Sequence, residues 1–425
     1  MAILGALSIA RSGLLATGEA LSVTGNNIAN VNTIAFKGSR AEFADLLAAR
    51  AGGGAIGLGT RLAGVDPSFA QGAIESTGRA TDLAIEGNGF FIVRDGDGNL
   101  YTRAGNFRLS ADGVLVTQQG LPLQGFEVDD LNQPVGALTD VAFDGATSQP
   151  EATTAVAVKN NLDAGATLIA GGFDATDWET ASATSNVTTT TKVYDSLGVS
   201  HDVTLFFTRT GANAWDVNVG VDAGETGGTP GELAILGTVA LTFNPDGSLA
   251  GPDPTDVTVT FSGADAQTIS FDFGTPNTGP TPGEGLDGVT QFGSASTVSA
   301  EANGFAAGQI EAIVVSADGL LTGVFDNGQS RALYRLALAD FAAPDGLTAL
   351  GSGLYRESID SGAATVSTPG AGGLGSIVAS AVERSNVDLA QEFVDLISLQ
   401  RSFQANARVI TTSDGLLNDL INVVR

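Results

Sequence analysis

Apolar residues recur at helical spacing at both ends of this chain and at every second position between them. From the start, Ile3, Leu7, Ala10, Leu14, Thr17, Leu21, Thr24 and Ile28 step by alternating four and three residues, with Leu or Ile returning every seven. At the far end Leu389, Phe393, Leu396, Gln400, Phe403, Ala407, Ile410, Asp414, Leu417 and Ile421 keep the same stepping. Both stripes predict long amphipathic helices of the heptad kind. Ser385-Asn-Val-Asp388 has the spacing of a capping box and predicts the start of the second helix.

Between the ends the period falls to two. Val203, Leu205 and Phe207 alternate, then Trp215, Val217, Val219 and Val221 after the turn Thr210-Gly-Ala-Asn213, which reads as a hairpin with one buried face. The same signature returns at Val239, Leu241, Phe243, at Val257, Val259, Phe261 and at Ile269, Phe271, Phe273. Nearer the ends, residues 83–93 and 100–109 flank Asp95-Gly-Asp-Gly-Asn99, and residues 310–315 precede Ala317-Asp-Gly319, so both predict hairpins. Glycine-rich joints at Gly52 to Gly59 and Pro369 to Gly375 bracket the β portion.

The predicted fold class is mainly β with α-helical termini, nested and multidomain. Residues 1–70 and 374–425 form a coiled-coil-like terminal helical domain with its linkers, residues 71–145 and 301–373 a discontinuous inner β domain, and residues 146–300 an inserted outer β domain. The high glycine content, 57 residues, suits a turn-rich β body.

Charge and composition narrow the function. The net charge of −28 repels nucleic acid and anionic lipid, so neither nucleic acid nor membrane is an expected partner. Cysteine is absent, which excludes disulfides and thiolate metal sites. The apolar start Met1-Ala-Ile-Leu lacks the basic segment of a cleavable secretion signal.

The candidate chemistry is thin, and no cofactor or metal is expected. Asp95-Gly-Asp-Gly-Asn99 opens like a calcium loop, but Leu100 stands where glycine is required and Asn106 where a bidentate Glu belongs. Gly370-Ala-Gly-Gly-Leu-Gly375 matches a dinucleotide fingerprint without a parallel strand to follow it. His201 is the lone histidine, and no nucleophile elbow or zinc-protease motif occurs. The expectation is a protein that is not an enzyme. A narrow stripe on a long helix buries little area for the entropy it costs, so the stripes serve either an ordinary helical hairpin or contacts between copies of the chain.

Longer motifs point further. Thr24-Gly-Asn-Asn-Ile-Ala-Asn-Val-Asn-Thr-Ile-Ala-Phe-Lys37, with Asn26, Asn27, Asn30 and Phe36, resembles the N-terminal signature of the bacterial flagellar rod and hook family of axial proteins. Thr77 to Phe91, Tyr101-Thr-Arg-Ala-Gly-Asn-Phe107, Ser385-Asn-Val-Asp-Leu-Ala390 and Gln400-Arg-Ser-Phe-Gln-Ala-Asn-Ala407 extend the resemblance to both ends. Val193 to Asp202 with Asn213-Ala-Trp215 is similar to the outer domain of the hook branch, whereas rod members are mostly shorter.

The resemblance implies a tubular homopolymer that flexes as it passes torque from rod to filament. Ile3, Leu7, Leu14, Leu21, Ile28, Leu389, Phe393, Leu396, Phe403, Ile410, Leu417 and Ile421 would make the polymer-core contacts. Implied partners are further copies, the flagellar rod, the hook cap, the hook–filament junction proteins and the flagellar type III export apparatus, with an extracellular location at the hook. Phe43 and Leu47 match the export-gate pattern of early flagellar substrates; in a helix the two would simply pack at i and i+4. The alternatives are a distal rod subunit and a β-rich surface adhesin.

Overall fold

The computed structural model describes residues 2–47, 57–96, 98–143, 145–252, 254–279 and 285–423. The chain divides into two compact units, one of Met1–Gly145, Glu311–Val324 and Ser330–Arg425, the other of Ala146–Ile310 and Phe325–Gln329.

The second unit follows from period-two patterning. Val187–Tyr194, Ser200–Gly211, Ala214–Asp222, Leu233–Phe243 and Leu249–Gly251 form an antiparallel sheet in chain order. A second sheet orders Thr255–Thr260, Ala266–Asp272, Ala155–Asp163 and Val289–Phe292, with Thr297–Ala302 also paired to Ala155–Asp163. Register sets Leu205 opposite Val219 and Phe207 opposite Val217, so the alternating residues share one face. One buried cluster joins the two sheets, with Phe207, Trp215, Leu241, Phe261 and Phe271 among its members. The unit runs past residue 300, where composition changes, because Val156 to Asn161 needs Thr297 to Ala302 as its antiparallel neighbour.

In the first unit, Phe90–Asp95 and Gly98–Thr102 form the hairpin expected around Asp95. Leu83–Glu86 does not extend it: Gly87 and Gly89, at φ of 108° and 116°, turn the chain so that this segment pairs with Ser376–Ala379 instead. Phe69, Phe90, Tyr101, Phe341 and Tyr355 meet edge to face, with centroids from 4.7 to 6.0 Å apart.

The termini are helical over Ala2–Ala29 and Leu389–Val423. Three expectations are corrected. Residues 39–47 and 57–67 are not helix and linker but two strands, β1 (Ser39–Leu47) and β2 (Gly57–Pro67), paired antiparallel. The helix ends at Ala29 in a run of turns, Thr33 N–H on Asn30 O at 3.0 Å among them, and Ala35 at φ 55° then turns the chain towards Gly38 and the strand. Phe43 and Leu47 therefore never pack at i and i+4 as in a helix. Phe43 is exposed, and the Leu47 side chain lies outside the described residues.

Residues 376–383 likewise are not part of a helical domain. They are two short strands, the second, Ala381–Glu383, pairing with Ile74–Ser76. Before them residues 369–375 close as a hydrogen-bonded turn, with Gly370 N–H on Gly375 O at 3.0 Å and Gly375 N–H on Asn88 O at 2.8 Å. Of the other proposed joint, residues 52–56 lie outside the described residues and Gly57 to Gly59 belong to β2.

Finally, the C-terminal helix starts three residues later than the capping-box reading places it. Asp388 is the capping residue, its Oδ1 accepting from Ala390 N–H at 2.8 Å and Gln391 N–H at 3.4 Å.

Gly105 tests the close packing of the first unit, since a Cβ there would stand 1.6 Å from Leu83 O. Gly105→Ala is expected to destabilise that unit by about 3 kcal/mol. Gly25→Ala, in the N-terminal helix with nothing within 4 Å, should stabilise it by about 0.5–1 kcal/mol. Both tryptophans, Trp178 and Trp215, lie in the second unit, so helical circular dichroism should move in these variants while tryptophan fluorescence melts as in the wild type.

Candidate functional site

The terminal helices pack through small residues. Ala10, Gly13, Ala16, Ala20, Thr24 and Asn27 are the buried positions of the N-terminal helix, spaced by three and four. A Cβ on Gly13 would stand 2.7 Å from Asn406 Nδ2, so the C-terminal helix comes close there. Glu392, Leu399 and Asn406, each seven apart, mark the side it turns to its partner.

The heptad stripes are thus divided between inside and outside. Leu7, Leu14, Leu21 and Ile28 are half-buried, as are Leu396, Ile410 and Leu417. Leu389, Phe393 and Phe403 are 40%, 51% and 40% exposed. The side chains of Ile3 and Ile421 lie outside the described residues. Sequence spacing alone missed that the closest packing uses alanine and glycine; the signal was present in Ala10, Gly13, Ala16 and Ala20.

The helix pair stands on a buried polar junction. Lys37 Nζ donates to Glu383 Oε1 at 2.7 Å and to Ala70 O at 2.8 Å, and both charged side chains are 0% exposed. Gly72 N–H adds a 2.8 Å bond to the same carboxylate oxygen. Arg103 Nη1 is 3.6 Å from Glu383 Oε2, and its guanidinium lies 5.3 Å from the centroid of the Phe90 ring. Burial pulls the Lys37 ammonium below its ordinary value while the Glu383 carboxylate opposes the shift. Burial acts on Arg103 in the same direction, opposed by Glu383 and Asp340.

Two asparagines extend the junction to both helices. Asn27 spans Ser39, donating to its carbonyl at 2.8 Å and accepting from its N–H at 3.0 Å, and it also donates to Glu392 Oε1 at 2.9 Å. The amide supplies two donor hydrogens and an acceptor oxygen together, which these three bonds use. Burial pushes the Glu392 carboxyl up, with the Asn27 bond working against it. Asn386 accepts from Gly38 N–H at 2.8 Å and donates to Ser68 O and Ala70 O.

The remaining motif residues act locally. Asn30 Nδ2 returns to Asn26 O at 2.9 Å, and Thr33 Oγ1 donates to Asn30 Oδ1 at 3.0 Å. The half-buried Phe36 offers its carbonyl to Asn386 N–H. Glu383 was missed in the sequence; a lone carboxylate after Ile377-Val-Ala-Ser-Ala-Val382 was the signal for it.

His201 belongs to the second unit. Its ring stacks on Phe261 at 3.7 Å, with Nε2 3.3 Å from Asp195 and Nδ1 3.1 Å from Glu225. That arrangement fastens a loop to the core.

Comparison with known proteins matches the two ends and the body in turn. Residues 7–37 match the family of flagella basal body rod proteins, and residues 378–423 the C-terminal region of basal body rod FlgEFG proteins. Residues 84–161 match the D1 domain of flagellar hook proteins FlgE/F/G, and residues 161–305 the D2 domain of flagellar basal body protein FlaE. The flagellar hook protein FlgE of Escherichia coli K12 is 34% identical over 98% of this chain and 100% of its own. This chain belongs to the flagellar hook protein family.

The hook protein of Treponema pallidum is 33% identical over 95% of the chain and 96% of its own length, and that of Brucella abortus 32% over the full length of both. A crystal structure of the Helicobacter pylori hook protein FlgE2 aligns over 71% of this chain and 98% of its own at 14% identity and a TM-score of 0.45. The junction of this hook-family chain unites segments that three of the matched regions contribute: Lys37 at the end of the first, Arg103 in the D1 match and Glu383 in the C-terminal one.

Glu383→Gln strands two buried cations and is expected to cost the first unit about 3–5 kcal/mol. Lys37→Met leaves Glu383 with Arg103 and Gly72 and should cost distinctly less. Denaturant midpoints followed by helical circular dichroism rank the two; equal losses would refute the role assigned to the buried carboxylate.

Proposed function

We propose that this chain is the repeating subunit of a flagellar hook, a flexible tube of identical copies that carries torque from rod to filament. The full-length match to hook proteins carries the reading, because it includes the 161–305 region as well as the ends. A distal rod subunit is not favoured by those matches. The role is structural rather than enzymatic.

The terminal stripes supply the contacts of the tube core. Leu389, Phe393 and Phe403 keep large apolar surfaces in water in the single chain, and neighbouring copies are the partners of a polymer subunit. The half-buried Leu396, Ile410 and Leu417 continue the same stripe and complete its contacts. The rod, the hook cap and the hook–filament junction proteins meet the tube, and the flagellar type III apparatus exports the subunit to the cell exterior without a cleaved signal. Phe43, exposed on β1, is open to recognition before assembly, with Leu47 completing the gate pattern in the unfolded chain.

Phe393→Asp tests the core contact. At 51% exposure the carboxylate is tolerated in the monomer, so its melting temperature should stay within a degree or two of wild type. Tubes seen by electron microscopy should disappear, because each subunit interface would bury an unpaired charge at a cost of several kcal/mol. Curved wild-type tubes are the expected form; straight ones would restore the rod reading, and normal tubes from Phe393→Asp would remove this stripe from the interface.

A further inference from the structure

We propose that the middle of the C-terminal helix of one copy docks, displaced along the helix axis by about 20 Å, into a groove at the helix base of the next. The proposal rests on the polymer reading and specifies one of its contacts.

The groove lies between the N-terminal helix, β1 and the first turns of the C-terminal helix, and has a volume of about 460 Å³. Val23, Phe43 and Leu399 line it with apolar atoms, while Asp388, Glu392 and Asp395 line it with carboxylates. Asp388 spends one oxygen on capping the helix and Asp395 accepts from Gln391 at 3.1 Å. No cation among the described residues pairs with any of the three.

The matching surface lies on the same helix, further along. Arg401 and Arg408 are exposed and form no ion pair among the described residues. The exposed Ala405 and Val409 lie between and beside them. The spacing carries the assignment: Arg401 and Arg408 are seven residues apart, as are Asp388 and Asp395. Arg401 therefore lies thirteen residues past Asp388, and Arg408 thirteen past Asp395. At 1.5 Å per residue, one axial shift of about 20 Å brings both arginines of one copy level with both carboxylates of the next.

Thirteen residues at 3.6 per turn also turn the side chain by about 220°, so the two surfaces lie on nearly opposite faces of one helix. A helix cannot satisfy such a pattern by itself, and a two-fold dimer does not use it. A head-to-tail contact does, and it leaves a free groove at one end and a free basic face at the other for the next copy. Val409 would then bring apolar surface to a groove that Phe43 and Leu399 already line, and water excluded around it strengthens the charge pairing.

Charge exchange tests the register. Asp395→Arg and Arg408→Asp should each lower tube yield at least tenfold at physiological salt, with monomer circular dichroism and melting unchanged. The double variant Asp395→Arg/Arg408→Asp should recover to within about twofold of wild type. Singles that assemble normally, or a double no better than the singles, overturn the docking while wild-type tubes keep the polymer reading intact. Absence of tubes from the wild type itself overturns both.

A second measurement leaves the charges alone. The chain has no cysteine, so Ser398→Cys in the groove and Thr411→Cys, thirteen residues on, can be mixed and assembled without background. A short bis-maleimide should give cross-linked dimers from the mixture and not from either variant alone. Tubes without such dimers overturn the proposed displacement.

Discussion

A carboxylate with no solvent contact holds this molecule's ends to its body. Glu383 receives Lys37 from just past the first helix, the Gly72 backbone, and the charge of Arg103 from the β body. Such a cluster adds little net stability over a well-packed apolar one, because desolvation consumes most of the attraction. Its effect is on alternatives. Any arrangement of the termini that separates Lys37 from Glu383 leaves a buried charge unpaired, which is far more costly than losing a methyl contact. Asn27 and Asn386 narrow the choice further, since each fixes a strand backbone and a helix end at once. The long helices therefore leave the body in one direction although their mutual packing is mostly alanine, glycine and half-buried leucine.

That division has consequences for the helices. Small residues allow close approach but bury little area, so the pair is held chiefly at its base and by the hairpin of β1 and β2. The hairpin comes so near that a Cβ on Gly59 would stand 2.0 Å from Ser12 Oγ. Leu389, Phe393, Ile397 and Phe403 stay exposed instead. In an isolated soluble chain this arrangement wastes the most valuable surface; in a polymer it reserves that surface for neighbours.

Legibility in the sequence followed the number of ways a pattern could be satisfied. A strand has two faces, so alternation at Val203, Leu205 and Phe207 left one choice, and the structure buries all three. A heptad stripe fixes a helix but not the owner of its partner, and the terminal stripes mix half-buried Leu396 and Ile410 with exposed Phe393. The β1–β2 hairpin escaped because Ser39 to Leu47 carries apolar residues at both periods. Helix ends were misjudged for a related reason: Ser385 and Asp388 are both capping residues, and only the bond from Ala390 decides between them. Glu383 was hard to see because its partners are distant in sequence, at Lys37 and Arg103.

Charge separates the two units as clearly as packing does. Lys159, Lys192 and Arg209 are the only Lys or Arg residues of the interval 146–310, which is otherwise dotted with Asp and Glu. Copies of this unit brought side by side repel one another at ranges near the Debye length. Arg103, Lys37, Arg401 and Arg408 all belong to the first unit, where cations meet carboxylates within the chain or are free to do so between chains. Cohesion and compliance therefore rest on different physics. In the proposed polymer, short-range apolar and paired contacts along the helices would resist separation, while like-charge repulsion between second units would oppose close approach without fixing a distance. A tube that bends needs both contacts that stay made and spacings that change at small cost.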